Sequence, residues 1–135
     1  MDFPKPDSTI LISGQQWAWT FTHPGKDNLI GTPDDIHTVD ELHLENNKTY
    51  HFLLTSSDVL HSFSVPVFRL KQDAVPGRVI KGWMQPIQLS SEEGFDIQCA
   101  EMCGIGHGVM GAKLFVESPE DHQLWVEKNN KWLSN

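Results

Sequence analysis

Four side chains that bind soft metals lie within one twelve-residue segment of this sequence. The segment contains Cys99, Cys103, His107 and Met110, in the spacing Cys-x3-Cys-x3-His-x2-Met. Cys99 and Cys103 are also the only two cysteines of the chain. Thiolate and thioether sulfurs select copper, and imidazole suits copper as well. The pattern therefore predicts a copper site in this segment.

A further ligand is expected from upstream. His61 lies in the short apolar run 58–66, which is typical of a strand end, with the rigid Pro66 close by. Two cysteines, two histidines and a methionine are too many ligands for one tetrahedral ion, and they are about right for two copper ions bridged by two sulfurs. The backbone carbonyl of Glu101, between the two cysteines, is placed to act as a weak extra ligand. We therefore expect a dinuclear site and an electron-transfer function.

Other sites built from these residues stay open at this point. Zinc bound by two cysteines and two histidines would have little use for the Met110 thioether. A disulfide between Cys99 and Cys103 would explain neither His107 nor Met110. A thiol metallochaperone or disulfide enzyme would be expected on a thioredoxin-like βαβ scaffold, which a strand-rich pattern does not support. The nearest alternative is a mononuclear blue-copper carrier or copper-handling protein, which would leave one cysteine idle.

Short strands must position these ligands. Strand-like runs alternate with clusters of Gly, Pro, Asn and Asp, which indicates about seven or eight strands in a sandwich or barrel and argues against a parallel βαβ sheet. We expect residues 41–44 to pair with 50–54 across the turn at 46–48. The other predicted strands are 9–12, 17–21, 59–65, 78–84, 94–99 and 112–116.

One helix is expected at the end of the chain. The sequence Ser118-Pro119-Glu120-Asp121 resembles a capping box with proline at the first helical position, and the helix should run to about Trp132. Its three-and-four spacing predicts a shared face, formed by Leu124, Trp125, Lys128 and Trp132.

Composition limits the function classes. At 135 residues the chain has the size of one domain, and we expect a single soluble domain over residues 1–135. Its net charge of −8 argues against a nucleic-acid partner and is compatible with a basic protein partner. The sequence shows neither a signal peptide nor an apolar run near the roughly 18 residues that a membrane span needs.

The remaining candidate residues are given plainer roles. Trp17 and Trp19 alternate along one predicted strand, so one or both could belong to the core. Asp34 and Asp35 form a short acidic pair in a polar loop, which is weak ground for a hard cation and is left unassigned. Five histidines are expected to be surface or half-buried residues, namely His23, His37, His43, His51 and His122.

At this level of detail the chain resembles a known family, the copper A (CuA) domain of cytochrome c oxidase subunit II. The resemblance covers most of the chain and rests on four motifs in order, at residues 14–19, 58–63, 70–78 and 99–110. The last motif alone is also similar to nitrous oxide reductase, whose large additional catalytic domain this chain has no room for. The resemblance implies an all-β, cupredoxin-like Greek-key barrel or sandwich with a short C-terminal helix.

The same resemblance implies the roles of individual residues. Cys99 and Cys103 would bridge the two coppers of a mixed-valence CuA centre, and the family pattern pairs His61 with Met110. The Glu101 carbonyl could instead accompany His61, and the other copper would take His107 and whichever weak ligand remains. Trp17 matches the residue at which an electron enters, and Asp58 matches a docking acid. The Glu101 side chain matches a carboxylate that helps to hold magnesium in the full complex only.

The resemblance also implies partners and a location. Electrons would come from cytochrome c, or a cytochrome c domain, and pass to haem in subunit I of a haem-copper oxidase. The isolated domain would not be an enzyme, although in the full complex it would be the electron-entry subunit of cytochrome c oxidase. We expect residues 1–135 to be cut from a membrane-anchored subunit, to face the periplasm, and to contact a membrane only through that absent anchor.

Overall fold

Two five-stranded sheets pack face to face in the computed structural model, which describes residues 3–99 and 111–129. The first sheet has the strand order β3-β2-β1-β5-β8 and the second has the order β4-β10-β9-β6-β7. The bounds are β1 (Ser8–Gln15), β2 (Ala18–His23), β3 (Ile36–Val39), β4 (Glu41–Glu45), β5 (Tyr50–Ser56), β6 (His61–Val65), β7 (Leu70–Ala74), β8 (Ile80–Met84), β9 (Phe95–Cys99), β10 (Gly111–Glu117) and the helix α1 (Pro119–Asn129). The predicted all-β architecture with a C-terminal helix is confirmed.

Alternating burial explains why these residues form a sandwich. In β1, Ile10 and Ile12 point into the core, and in β2 Trp19 and Phe21 do the same, while their neighbours are less buried. A strand with period-2 burial can cover only one face, so the apolar face of each sheet has to pack on the other sheet. Both sheets contribute to one cluster of buried residues, which includes Phe52, Phe63 and Leu114.

The expected hairpin between residues 41–44 and 50–54 is wrong. β4 pairs in parallel with β10, whereas β5 lies in the other sheet between β1 and β8. Both strands bury apolar side chains, Leu42 and Leu44 from β4 and Phe52 and Leu54 from β5. Because these side chains enter the same core from opposite sheets, the short connection crosses from one sheet to the other instead of closing a hairpin.

Two strands are additional to those predicted, and both lie at sheet edges. Among the described strands, the four-residue β3 pairs only with β2, and β7 pairs only with β6. An edge strand faces little of the core, so its sequence needs little alternation and is easily taken for a loop.

The helix begins where the capping pattern placed it. Asp121 N–H donates a hydrogen bond to Ser118 Oγ at 3.1 Å, and Pro119 is the first helical residue. The predicted face is wrong for Leu124, which is 62% exposed; Val126 is buried instead, beside the half-buried Trp125. Trp132 lies outside the described residues. Within the described residues, no helix is long and apolar enough to cross a bilayer.

Candidate metal centre

Two of the predicted copper ligands lie at the same end of the second sheet. His61 is the first residue of β6 and Cys99 is the last residue of the antiparallel neighbour β9. In the register of these strands, Phe63 pairs with Cys99, so Cys99 lies two residues along from His61. Both side chains are buried. The predicted ligands Glu101, Cys103, His107 and Met110 lie outside the described residues.

The His61 ring is held by the core on two sides. A Cβ atom at Gly14 would come within 3.1 Å of His61 Cδ2 and 2.8 Å of Trp19 Cζ3. The Trp19 indole meets the imidazole edge-on, with ring centroids 5.9 Å apart. Since real Cβ atoms do not approach as closely as 2.8 Å, glycine at position 14 leaves the space that both rings occupy.

One nitrogen of the His61 ring is bound by a carboxylate. His61 Nε2 lies 2.8 Å from Asp58 Oδ1. Although partial burial opposes the charge of Asp58, hydrogen bonds from Gln16 N–H, the His61 ring and Val59 N–H lower its pKa to about 2. An ionised carboxylate only accepts hydrogen bonds, so His61 Nε2 carries the proton and donates it. The lone pair of a neutral His61 ring is therefore on Nδ1.

The other nitrogen of His61 has no protein partner in the described chain. Nδ1 is buried, and within residues 3–99 and 111–129 nothing hydrogen-bonds to it. Three more buried side-chain atoms share this condition: Trp19 Nε1, Asn46 Oδ1 and Ser62 Oγ. Indole N–H cannot act as a ligand and the two oxygens are hard donors, so the imidazole nitrogen is the one suited to copper. A buried lone pair beside a buried cysteine fits a copper ligand set.

Trp17 and Trp19 occupy different environments. Trp19 is fully buried in β2, whereas Trp17 precedes that strand and is 45% exposed. The turn that carries Trp17 is tied to Asp58, because Gln16 N–H donates to Asp58 Oδ2 at 2.7 Å. The structure thus brings together Asp58, His61 and the Trp17 turn.

Three histidines that the structure buries were expected to be surface or half-buried residues. His23, His43 and His51 are buried, which contradicts the expectation that they lie at or near the surface. His23 continues the inward alternation of Trp19 and Phe21 along β2, and this periodicity was the indication available in the sequence.

Hydrogen bonds make the buried position of His23 possible. His23 Nδ1 donates to the Ile36 carbonyl at 3.1 Å, and His43 N–H donates to His23 Nε2 at 3.1 Å. Burial lowers the pKa of His23 to about 3, against the opposing effect of the Ile36 hydrogen bond. The ring is therefore neutral at physiological pH and serves as a structural link between β2, β3 and β4.

The acidic pair in the loop between β2 and β3 braces that loop. Asp34 accepts hydrogen bonds from Thr32 Oγ1 at 2.6 Å and Asp27 N–H at 3.2 Å, and Asp35 accepts one from Gly31 N–H at 2.8 Å. Throughout residues 3–99 and 111–129, no three His, Cys, Asp or Glu side chains come together as a metal site. The described residues thus supply Cys99 and His61 as candidate copper ligands.

Comparison with known proteins identifies a family. The family model for "Cytochrome C oxidase subunit II, periplasmic domain" matches residues 8–117 of this chain. An alternative cytochrome c oxidase subunit 2 of Bradyrhizobium diazoefficiens is 40% identical over 147 aligned residues, which cover 93% of this chain and 52% of that protein. A probable cytochrome c oxidase subunit 2 of Rickettsia felis is 37% identical and covers 98% of this chain and 45% of that protein. The chain thus spans about half the length of these curated relatives.

Solved structures agree with the sequence comparison. The periplasmic domain of subunit II of cytochrome oxidase (CoxB) of Bradyrhizobium japonicum superposes with a TM-score of 0.81 at 27% identity, covering 97% of this chain and 99% of that one. A mixed disulfide intermediate between a thioredoxin-like protein and subunit II of cytochrome c oxidase gives a TM-score of 0.79 at 29% identity, with full coverage of both chains. These likenesses confirm the expected cupredoxin-like fold.

Proposed function

Because the chain belongs to the family of cytochrome c oxidase subunit II periplasmic domains, we propose that residues 1–135 form one electron-accepting domain that holds a dinuclear copper centre. The observation that carries this proposal is the buried Nδ1 of His61, which lacks a partner within the described residues and lies near Cys99. The family supports respiratory electron transport in general. The dinuclear centre, its ligands and its electron partners are the proposal.

The residues that would hold the copper pair are His61 at the start of β6, Cys99 at the end of β9 and four residues of the segment 101–110. Cys99 and Cys103 would bridge the metals, His61 and His107 would each bind one of them, and Met110 and the Glu101 carbonyl would be the weak ligands. When bound, the pair supplies a one-electron carrier whose change in charge is shared over two metals and two sulfurs. The two thiolates would disfavour magnesium, and the Met110 thioether would favour copper over zinc at this position.

The sandwich contributes rigidity and exclusion of water. His61 is fully buried, and the Trp19 ring contacts both the His61 ring and the Phe63 ring edge-on. Tightly packed rings change position little when a nearby charge changes, and a dry site keeps water from responding to that charge. Both effects lower the reorganisation that opposes electron transfer.

Charge and exposure support a docking surface for a basic electron donor. The chain carries a net charge of −8, and Trp17 is exposed at a turn that is hydrogen-bonded to the acid Asp58. We propose that cytochrome c docks over Trp17, and that the electron leaves towards haem in subunit I. In the assembled oxidase, the Glu101 side chain would help to hold magnesium at the contact with subunit I.

Copper analysis combined with electron paramagnetic resonance tests this function. We expect about two copper ions per chain and one unpaired spin shared between them, with a seven-line hyperfine pattern. His61→Gln and Cys103→Ser should abolish the shared-spin pattern. The matched control His37→Gln, at an exposed histidine of β3, should keep it.

A different result would favour the alternative function. One copper per chain with a four-line pattern would identify a mononuclear blue-copper carrier. A copper-loaded sample that contains a Cys99–Cys103 disulfide would contradict both the dinuclear centre and the mononuclear blue-copper alternative.

A further inference from the structure

The two carboxylate oxygens of Asp58 make hydrogen bonds to two different groups, the His61 ring and the backbone that precedes Trp17. Oδ1 lies 2.8 Å from His61 Nε2, and Oδ2 accepts the Gln16 N–H at 2.7 Å. Gln16 immediately precedes the exposed Trp17. A single side chain therefore contacts the buried imidazole and the backbone of the surface turn.

Local hydrogen bonds fix the carboxylate itself. Val59 N–H donates to Asp58 Oδ1 at 2.6 Å, and Asp58 N–H donates to Ser56 Oγ at 3.2 Å. Ser56 Oγ in turn donates to the Val59 carbonyl. Ser57 N–H donates to the Gly14 carbonyl at 3.0 Å, which joins this segment to β1. A carboxylate held in this way has one preferred orientation, so it can impose an orientation on its partners.

Orientation matters most for the His61 ring. Because Asp58 accepts from Nε2–H, it selects the tautomer with the lone pair on Nδ1 and opposes rotation of the ring. Histidines that bind metals usually donate their second nitrogen to such a partner, and loss of the partner typically weakens metal binding 10- to 100-fold.

We propose that Asp58 is a positioning residue, which holds His61 with Nδ1 available to copper and ties the Trp17 turn to the same ring. This inference rests on the proposed function, since the ring orientation acquires its role only when copper binds. It adds to the expected part of Asp58 in docking. A docking acid acts through its charge at the surface, whereas a positioning residue changes the buried ring and the turn even when no partner protein is present.

Three variants separate the two roles of Asp58. Asp58→Ala removes both hydrogen bonds. Asp58→Asn keeps an oxygen that can accept from His61 Nε2–H, but its amide N–H2 cannot accept from Gln16 N–H. Glu92→Gln, at an exposed residue before β9, removes the same unit of charge and is the matched control.

Nuclear magnetic resonance of the metal-free domain is the first measurement. In the wild type we expect the His61 ring to show the Nε2–H tautomer. In Asp58→Ala the ring nitrogens should shift towards a mixture of tautomers, and the Gln16 amide should exchange with solvent about tenfold faster or more. Asp58→Asn should accelerate Gln16 exchange while retaining the His61 tautomer, and Glu92→Gln should match the wild type.

Copper release to a chelator is the second measurement. We expect Asp58→Ala to lose copper at least tenfold faster than the wild type, and Glu92→Gln to lose it at the wild-type rate. Unchanged His61 and Gln16 resonances in Asp58→Ala, or unchanged copper release, would overturn the positioning role. If the wild type takes up no copper, the proposed function fails, and the resonances of the metal-free variants still decide whether Asp58 links the ring to the turn.

Discussion

The Trp125 indole of α1 stacks on the His43 imidazole of β4, with ring centroids 4.2 Å apart and planes inclined by 14°. Phe115 of β10 stacks on the same imidazole at 4.9 Å. Glu117 accepts hydrogen bonds from the Nδ1 atoms of both His43 and His122, each at 2.9 Å. Aromatic contacts and one shared carboxylate therefore join the helix to the second sheet.

Replacing Trp125 by alanine should weaken the docking of this helix. Trp125→Ala removes a half-buried ring and its stack on His43, so we expect the free energy of unfolding to fall by about 2 kcal/mol. Urea unfolding followed by circular dichroism measures the change. Leu124→Ala is the control, because Leu124 is 62% exposed and should change stability by less than about 0.5 kcal/mol. Equal effects of the two variants would contradict this account of the helix.

His23 should make folding stability depend on pH in mild acid. The pKa of His23 is about 3 in the folded chain, compared with an ordinary value of 6.5. Below about pH 6.5 the unfolded chain therefore binds a proton that the folded chain excludes, and stability falls as pH falls. This one group should cost about 2 kcal/mol between pH 7 and pH 5.

Two glutamine variants isolate the contribution of His23. His23→Gln should be less stable at pH 7, because the hydrogen bonds to Ile36 and His43 are disturbed. It should also lose less stability than the wild type between pH 7 and pH 5. His37→Gln, at an exposed histidine, should keep the wild-type slope. Parallel slopes for wild type and His23→Gln would show that His23 does not titrate in this way.

Gly14→Ala should perturb both the core and His61. The added methyl group would lie 2.8 Å from Trp19 Cζ3 and 3.1 Å from His61 Cδ2, so the rings must move. We expect a loss of about 1–3 kcal/mol in the stability of the metal-free domain, measured by thermal unfolding. Gly111→Ala is the matched control, since its nearest neighbour, the Ile97 carbonyl, would be 3.8 Å away. A stable Gly14→Ala variant with an unmoved His61 resonance would contradict the close packing.

Trp17→Leu should slow electron entry without changing the copper centre. We expect roughly a tenfold slower reaction with cytochrome c, which corresponds to about 1.4 kcal/mol in the barrier. Stopped-flow mixing measures the rate, and the visible spectrum reports the centre. Trp83 of β8 is 41% exposed, compared with 45% for Trp17, so Trp83→Leu is a control of similar size and exposure. Equal rates for the two variants would remove Trp17 from the proposed entry site.

Ionic strength should change the association rate with a basic cytochrome. The net charge of −8 attracts a cationic partner, and salt screens that attraction over about 10 Å at 0.1 M. We expect the bimolecular rate to fall as salt rises, whereas the rate of reduction by a small uncharged electron donor should stay nearly constant. An association rate with cytochrome c that does not change with salt concentration would argue against docking through acidic residues.

Sequence alone determined the class of fold and predicted a type of chemistry. The period-2 burial of β1 and β2 follows from the order of their residues, so the presence of strands could be predicted before their pairing was known. The soft ligands from Cys99 to Met110 indicated copper because ligand chemistry depends on residue type and spacing. His61 and Cys99 also lie at the strand ends that the sequence indicated.

Tertiary structure decided which surfaces meet. The sequence could not show that β4 and β5 lie in opposite sheets. A hairpin of β4 with β5 would bury the same side chains as the observed pairing of β4 with β10 and of β5 with β1 and β8. Nor could it show that His23 is hydrogen-bonded to both β3 and β4, or that Asp58 is hydrogen-bonded to both His61 and the Trp17 turn. Hydrogen bonds of this kind depend on atoms that are distant in the chain and come within 3 Å only when the strands pair, as the β1–β5 pairing brings Gln16 N–H to 2.7 Å from Asp58 Oδ2.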